Sequence, residues 1–168
     1  MRTGPQAHYC FSREKIMAEI TSDSEFRAAL KRLDVLQLRE VGSRFLKSVL
    51  QLNSDERVAH AVAVSSNREA SEDELLAAYK AARVATVESR TRCGADCNWE
   101  DQAAHFVARA SAALVAPEGM CKAADPSWQV VMSCRMARNC AQIAVDDDIS
   151  EGENINQYHI LNDYLSSA

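Results

Sequence analysis

Asp125-Pro126-Ser127-Trp128-Gln129-Val130-Val131-Met132-Ser133-Cys134-Arg135-Met136-Ala137-Arg138-Asn139-Cys140-Ala141-Gln142-Ile143-Ala144-Val145 is the stretch whose reading decides the fold. Asp at a cap with Pro in the first helical position is a helix start. Beyond it, Val130, Cys134, Ala137, Ala141 and Val145 recur on one face, while Trp128, Met132, Met136 and Ile143 recur on another. The spacing predicts a helix over 126–145. Because it is apolar on two sides, it is expected at the centre of a helical bundle.

The segment upstream echoes it. Asp96-Cys97-Asn98-Trp99 parallels Asp125-Pro126-Ser127-Trp128, and ten residues after each Trp an Arg follows an Ala: Ala108-Arg109, then Ala137-Arg138. Ala82-Arg83 is a weaker third echo, so the spacing is 26 to 29 residues, about one helix plus a loop. Asn98 can cap a helix over 98–115 whose stripe is Trp99, Ala103, Phe106, Val107, Ala110, Ala113 and Leu114, with Pro117 and Gly119 breaking it. On this pattern Trp99 is a core anchor. Trp128, by contrast, shares its helical sector with Arg135, Asn139 and Gln142. The letters repeat better than the faces do, and an internal helical repeat stays open.

Outward from there the punctuation is helical. Ser22-Asp23-Ser24-Glu25 and Ser71-Glu72-Asp73-Glu74 are capping boxes, and Ser150-Glu151-Gly152-Glu153 is a third. Val35, Leu38, Val41, Phe45, Val49 and Leu52 make the most hydrophobic helix, with Gly42 a weak point or a site of close packing. Asn53 or Ser54 can cap a helix covering Val58, Ala61 and Val62. Alternations such as Val62-Ala63-Val64 are too short for strands and lie inside helical patterns. The expectation is an all-α fold of seven to eight helices, a bundle or a short helical array. It comprises a flexible N-terminus over 1–11 and a single helical domain over 12–168.

A chain of 168 residues can bury its own core without staples. No apolar run approaches the roughly 20 residues that span a bilayer. The first residues lack an apolar signal core, so a cytoplasmic location, no membrane partner and mostly free cysteines are expected. Net charge is −5, unevenly spread: residues 141–168 hold Asp146, Asp147, Asp148, Glu151, Glu153 and Asp163 but no Lys or Arg. Such an end repels nucleic acid and suits a basic protein partner, although carboxylates also simply favour helix starts. On the first alternative, Asp146, Asp147, Asp148, Glu151 and Glu153 are the partner-binding residues.

Two other sets could carry chemistry. Cys93, Cys97 and Cys121, with His105 as a fourth ligand, form a zinc candidate, although the Cys-x3-Cys spacing departs from the usual knuckle and no second knuckle exists. Arg83, Arg109 and Arg138 lie at the flanks of apolar stripes; they either line an anion-binding groove or extend their stems over apolar surface toward solvent. No phosphate loop, dinucleotide fingerprint, zinc-protease helix or nucleophile elbow is present, and no catalytic residue or cofactor is expected.

The run Asn53-Ser54-Asp55-Glu56-Arg57-Val58-Ala59-His60-Ala61-Val62-Ala63-Val64, then Ala70-Ser71-Glu72-Asp73-Glu74-Leu75-Leu76-Ala77-Ala78-Tyr79-Lys80-Ala81-Ala82-Arg83, resembles a helix pair of Ala-rich, all-helical bacterial proteins. Asn156-Gln157-Tyr158-His159-Ile160-Leu161-Asn162-Asp163-Tyr164-Leu165 is similar to their closing helix, with Asn162 where Arg is usual. Some of these proteins carry an immunity-protein label. The resemblance covers residues 45–165 and brings no catalytic residues with it. It implies an immunity or regulatory protein; with no catalytic motif and an acidic C-terminal segment, the expectation is a non-enzymatic interaction module neutralising a basic partner. The alternative is a helical bundle, binding protein or enzyme, with a small-molecule or anion pocket between its central helices.

Overall fold

The computed structural model describes residues 19–93, 98–146 and 151–167, the side chain of Cys93 excepted. Seven α-helices and one short 3-10 turn make up these residues, and none of them forms a strand. In order they are α1 (Asp23–Leu30), α2 (Val35–Lys47), the 3-10 turn Leu50–Leu52, α3 (Glu56–Ser66), α4 (Glu72–Cys93), α5 (Trp99–Leu114), α6 (Pro126–Ala144) and α7 (Glu153–Ser167). The all-α expectation holds, and the helices expected over 98–115 and 126–145 fall within a residue of those ranges. The boundary expected between residues 11 and 12 lies outside the described residues.

Local signals explain most helix starts. Ser22 and Glu25 complete a reciprocal capping box on α1, and Ser71 and Glu74 do the same at the start of α4. Asp34 and Gln37 form a further box on α2. Asp125 Oδ1 accepts from the Trp128 N–H at 2.9 Å, and Pro126 opens α6. The α3 cap is Asp55 rather than Asn53 or Ser54; Asn53 instead accepts from the Asp55 N–H at 2.8 Å and holds the cap in place. The hydrophobic helix expected through Leu52 stops at Lys47. The Ser48 hydroxyl bonds back to the Phe45 carbonyl, and Arg138 Nη2 takes the Ser48 carbonyl at 2.7 Å, so that carbonyl no longer needs a helical partner.

The packing corrects the expectation for the centre. α5, not α6, is the most enclosed helix: Ala103, Val107, Ala108, Ala110, Ser111, Ala112, Ala113 and Leu114 are all buried. Its small side chains let α3, α4 and α6 approach from several sides. α6 buries Val130, Val131, Cys134, Ala137 and Cys140, but Met132, Met136 and Ile143, on its second apolar face, are exposed. The main core runs from Ile20 through Phe26, Phe45, Leu46, Val107 and Val131 to Leu161 and Tyr164. A smaller cluster of Ala61, Ala78, Tyr79, Ala82, Ala112 and Val115 joins α3, α4 and the end of α5. Gly42 is a close-packing site: a Cβ built there would lie 2.6 Å from Leu114 Cδ1. No helix among the described residues is long and apolar enough to cross a membrane.

Candidate functional site

The residues expected to act together are only partly brought together. Of the acidic segment, Asp147 and Asp148 lie outside the described residues, while Asp146 and Glu151 are exposed. Glu153 departs from the expectation of a partner-facing carboxylate, being only 2% exposed. Its Oε1 accepts from the Ser48 hydroxyl at 2.6 Å and from Asn156 Nδ2 at 3.1 Å, and its Oε2 accepts from Arg138 Nε at 3.2 Å. A buried carboxylate needs partners of this kind, and they commit both Glu153 and Arg138 to tying α2, α6 and α7 together. Arg138 therefore does not join the anion groove expected of the Ala-Arg pairs.

Arg83 and Arg109 do converge. With Tyr79, Cys121, Lys122 and Gln129 they line an open depression of about 240 Å³ between α4, α5 and the start of α6. Arg83 Nη1 donates to the Tyr79 hydroxyl at 3.3 Å, and that hydroxyl donates to the Met120 carbonyl at 2.9 Å. Arg83, Arg109 and Lys122 are exposed, so water and salt weaken their pull on an anion.

For the thiol set, Cys97 and the side chain of Cys93 lie outside the described residues, and Cys121 Sγ has Gln129 Oε1 at 3.9 Å. Among the described residues no cluster of three or more His, Cys, Asp or Glu is arranged to hold a metal ion. Cys121, Cys134 and Cys140 are free, and burial pushes the Cys134 and Cys140 thiols up. His105 Nδ1 sits 3.0 Å from the Ser89 hydroxyl, and burial lowers the imidazole below its ordinary range. It is a packed histidine joining α4 to α5.

Trp99 is not the core anchor expected of it. Trp99, at the first position of α5, is 44% exposed. Its stripe is buried from Ala103 onward apart from the half-buried Phe106, so one turn of helix extends past its packing partners. Trp128 is half-buried, 6.5 Å from the Phe26 ring, with the Arg27 guanidinium 4.4 Å over its own ring.

Beside Trp128 lies a cluster that sequence reasoning missed. Arg135 donates Nη2 and Nη1 to the two Asp23 oxygens at 2.7 and 3.0 Å, and its Nε to Gln157 Oε1 at 2.8 Å. The Tyr158 hydroxyl donates to Asp23 at 2.7 Å, and the fully buried Gln157 donates to the Val131 carbonyl at 3.1 Å. The hydrogen bonds from Arg135, first, and from Tyr158 hold the Asp23 carboxyl below its usual range, while partial burial opposes them. Asp23 reads in sequence as part of a capping box, and nothing local marks its partner more than a hundred residues away.

The second feature missed is a recess of about 290 Å³ where α2 crosses α5 and α6. Leu38, Val41, Phe45, Leu114 and Val130 supply much of its wall, and the first residues of α6, Pro126 and Ser127, border it. Arg39 and Glu118 are the charged residues of the lining. Glu118 is exposed at the rim. Arg39 Nε and Nη1 are shut off from solvent and have no hydrogen-bond partner. The signal available in sequence was an Arg one residue after Leu38 in an otherwise apolar sector, which also describes an ordinary solvent-reaching side chain.

No family model matches the chain, and neither the curated proteins nor the solved structures contain a significant match to it.

Proposed function

We propose that this protein is a ligand-binding helical bundle that takes up a small, largely apolar molecule in the recess between α2, α5 and α6. The observation that carries this reading is the recess itself: a concavity of about 290 Å³ walled by aliphatic and aromatic side chains from three helices. Small-molecule sites are commonly concavities of this sort, apolar with a few placed polar groups. Backing by the main core makes the wall rigid, which lowers the ordering cost of binding. Titration calorimetry with a neutral probe such as octanamide tests it. Binding by the wild-type chain, lost in Ala113→Leu, which fills the recess from α5, is the expected result; a wild-type chain that takes up no such probe ends the reading.

A second reading, a protein-interaction module of the immunity or regulatory kind, draws on a different surface. Met132, Met136 and Ile143 form an exposed apolar strip along α6, and Asp146 and Glu151 add negative charge beyond its end. Exposed Met-rich strips adapt to partner surfaces, and acidic residues beside such a strip suit a partner with basic residues around an apolar centre. Photo-crosslinking from position 136 in the source cell lysate tests it. A basic protein should be captured, and its capture should be lost when Asp146 and Glu151 are changed to Lys. Capture indifferent to that reversal counts against a basic partner.

A further inference from the structure

We propose that the occupant of the recess is an apolar carboxylate whose anionic head pairs with Arg39; this rests on the reading of the recess as a small-molecule site. An arginine side chain offers five N–H donors, accepts nothing and stays charged at any physiological pH. A charge withdrawn from water is retained in a fold when something pairs with it. Two arginines drawn toward the core have their acceptors: Arg135 has Asp23 and Gln157, and Arg138 has Glu153 and the Ser48 carbonyl. Arg39 has none for Nε or Nη1, although both are closed to solvent. These two nitrogens lie on opposite edges of the guanidinium. Neither nitrogen is reached by water in the unliganded chain, so the guanidinium must turn toward the recess to meet a carboxylate, which then takes Nε with Nη2 or Nη1 with Nη2 bidentately.

The rest of the lining fits the remainder of such a molecule. Leu38, Phe45 and Leu114 offer no hydrogen-bonding side chain, so the part of the ligand beyond its head must be hydrocarbon. An apolar cavity of about 150 Å³ accepts benzene, so a recess of about 290 Å³ has room for about a dozen non-hydrogen atoms. The first turn of α6 borders the recess, but Pro126 has no N–H and the Trp128 N–H is taken by Asp125, so this turn offers an anion only the Ser127 N–H. The Glu118 carboxylate at the rim acts against an anion, but it is exposed and forms no ion pair with Arg39, so water screens it.

The test is titration calorimetry of the full chain with octanoate and with octanamide, which differ in charge and hardly in shape. Octanoate should bind at least about ten-fold more tightly, as a charge-assisted bidentate contact requires. Arg39→Met should remove that preference, keep octanamide binding, and raise the melting temperature of the unliganded chain, because two buried nitrogens without acceptors are replaced by an apolar stem. Equal binding of the two probes by the wild type overturns the carboxylate and leaves the apolar recess standing. Binding of neither overturns the recess as a site. A preference that survives Arg39→Met, or a melting temperature that falls, overturns the role of Arg39. Should Arg39→Met fail to fold, Arg39→Lys keeps the charge and loses the fork: octanoate should weaken several-fold with octanamide unchanged, and octanoate left as tight counts against the pairing.

Discussion

Arg135 and Arg39 are both arginines set against apolar side chains, and they end in opposite circumstances. Arg135 reaches two Asp23 oxygens and Gln157, with the rings of Phe26, Trp128 and Tyr158 between 5.4 and 5.9 Å of its guanidinium carbon. Arg39 lines an apolar recess with two buried nitrogens unpartnered. The first arrangement closes a fold: α1, α6 and α7 meet at one fully satisfied cation. The second leaves two nitrogens without an acceptor on a residue of the recess wall, a demand that a structural ion pair does not leave. Arg138 belongs with Arg135, because its acceptors come from α7 and from the residue that ends α2.

The largest effect should come from breaking a partnered arginine. Arg138→Met leaves Glu153 buried without its cation, and stability should fall by about 3–5 kcal/mol in denaturant titration. Adding Glu153→Gln, which keeps the acceptor for Ser48 and removes the charge, should recover much of the loss. Arg39→Met should move the other way. If both single variants destabilise alike, the distinction between the two kinds of arginine fails.

The tryptophans sharpen the same comparison at a lower energy. Trp128 covers the Arg135 cluster and packs on Phe26, so Trp128→Ala should cost roughly 2–3 kcal/mol, below the range for a wholly buried ring. Trp99→Ala should stay within about 0.5 kcal/mol, as surface changes usually do. Near-equal losses in thermal melts would mean that the exposed turn of α5 has a partner surface of its own.

These two residues also mark how far the sequence was legible. Helix number, type and most ends could be read, because caps and periodicity are local: Asp125-Pro126 and Ser71…Glu74 announce their helices within four residues. Which stripe is covered depends on what other helices reach it. Trp99 and Ala103 look equivalent on a helical wheel, yet only Ala103 has α5's neighbours over it. Glu153 read as a solvated helix start, because its partners Ser48 and Arg138 come from helices that only the tertiary fold brings near. Arg83 and Arg109 were legible as a pair at helical-repeat spacing, and they do share a depression. The recess was not legible at all: it is a gap between helices, and a gap has no residue of its own.

A pH series separates satisfied from unsatisfied polar groups in another way. Burial, first, and the nearby positive charges of Arg109 and Arg90 lower the folded pKa of His105 below its ordinary value of 6.5. The unfolded chain takes up its proton near 6.5, while the folded imidazole beside Ser89 stays neutral. The stability from keeping it neutral is thus fully present above pH 6.5 and lost as pH falls from there to the folded pKa. Denaturation midpoints should drop between pH 7.5 and 5.5, and His105→Gln should flatten that drop. A drop of the same size in the variant would assign the effect to other groups.

The smallest stability change should come from Gly42→Ala, and it bears most directly on the recess. Alanine gains about 0.8–1.0 kcal/mol of helix propensity over glycine. Its Cβ would lie 2.6 Å from Leu114 Cδ1, so Leu114 must move. The contacting atom is the far end of a flexible side chain that itself lines the recess, so the side chain can swing into open space instead of forcing the helices apart. Overpacking a filled core costs roughly 1–3 kcal/mol; here the free volume reduces that cost, and the two effects should nearly cancel, leaving the melting temperature within about one degree of wild type. The volume taken up by Leu114 is then lost to a ligand, and octanoate and octanamide should weaken together, because their shared hydrocarbon part is displaced and Arg39 is untouched. A loss of more than about 2 kcal/mol would mean that Leu114 has nowhere to go and that the space beside Arg39 is already closed. Selective weakening of octanoate alone would place the hydrocarbon tail elsewhere, and with it the occupant of the recess.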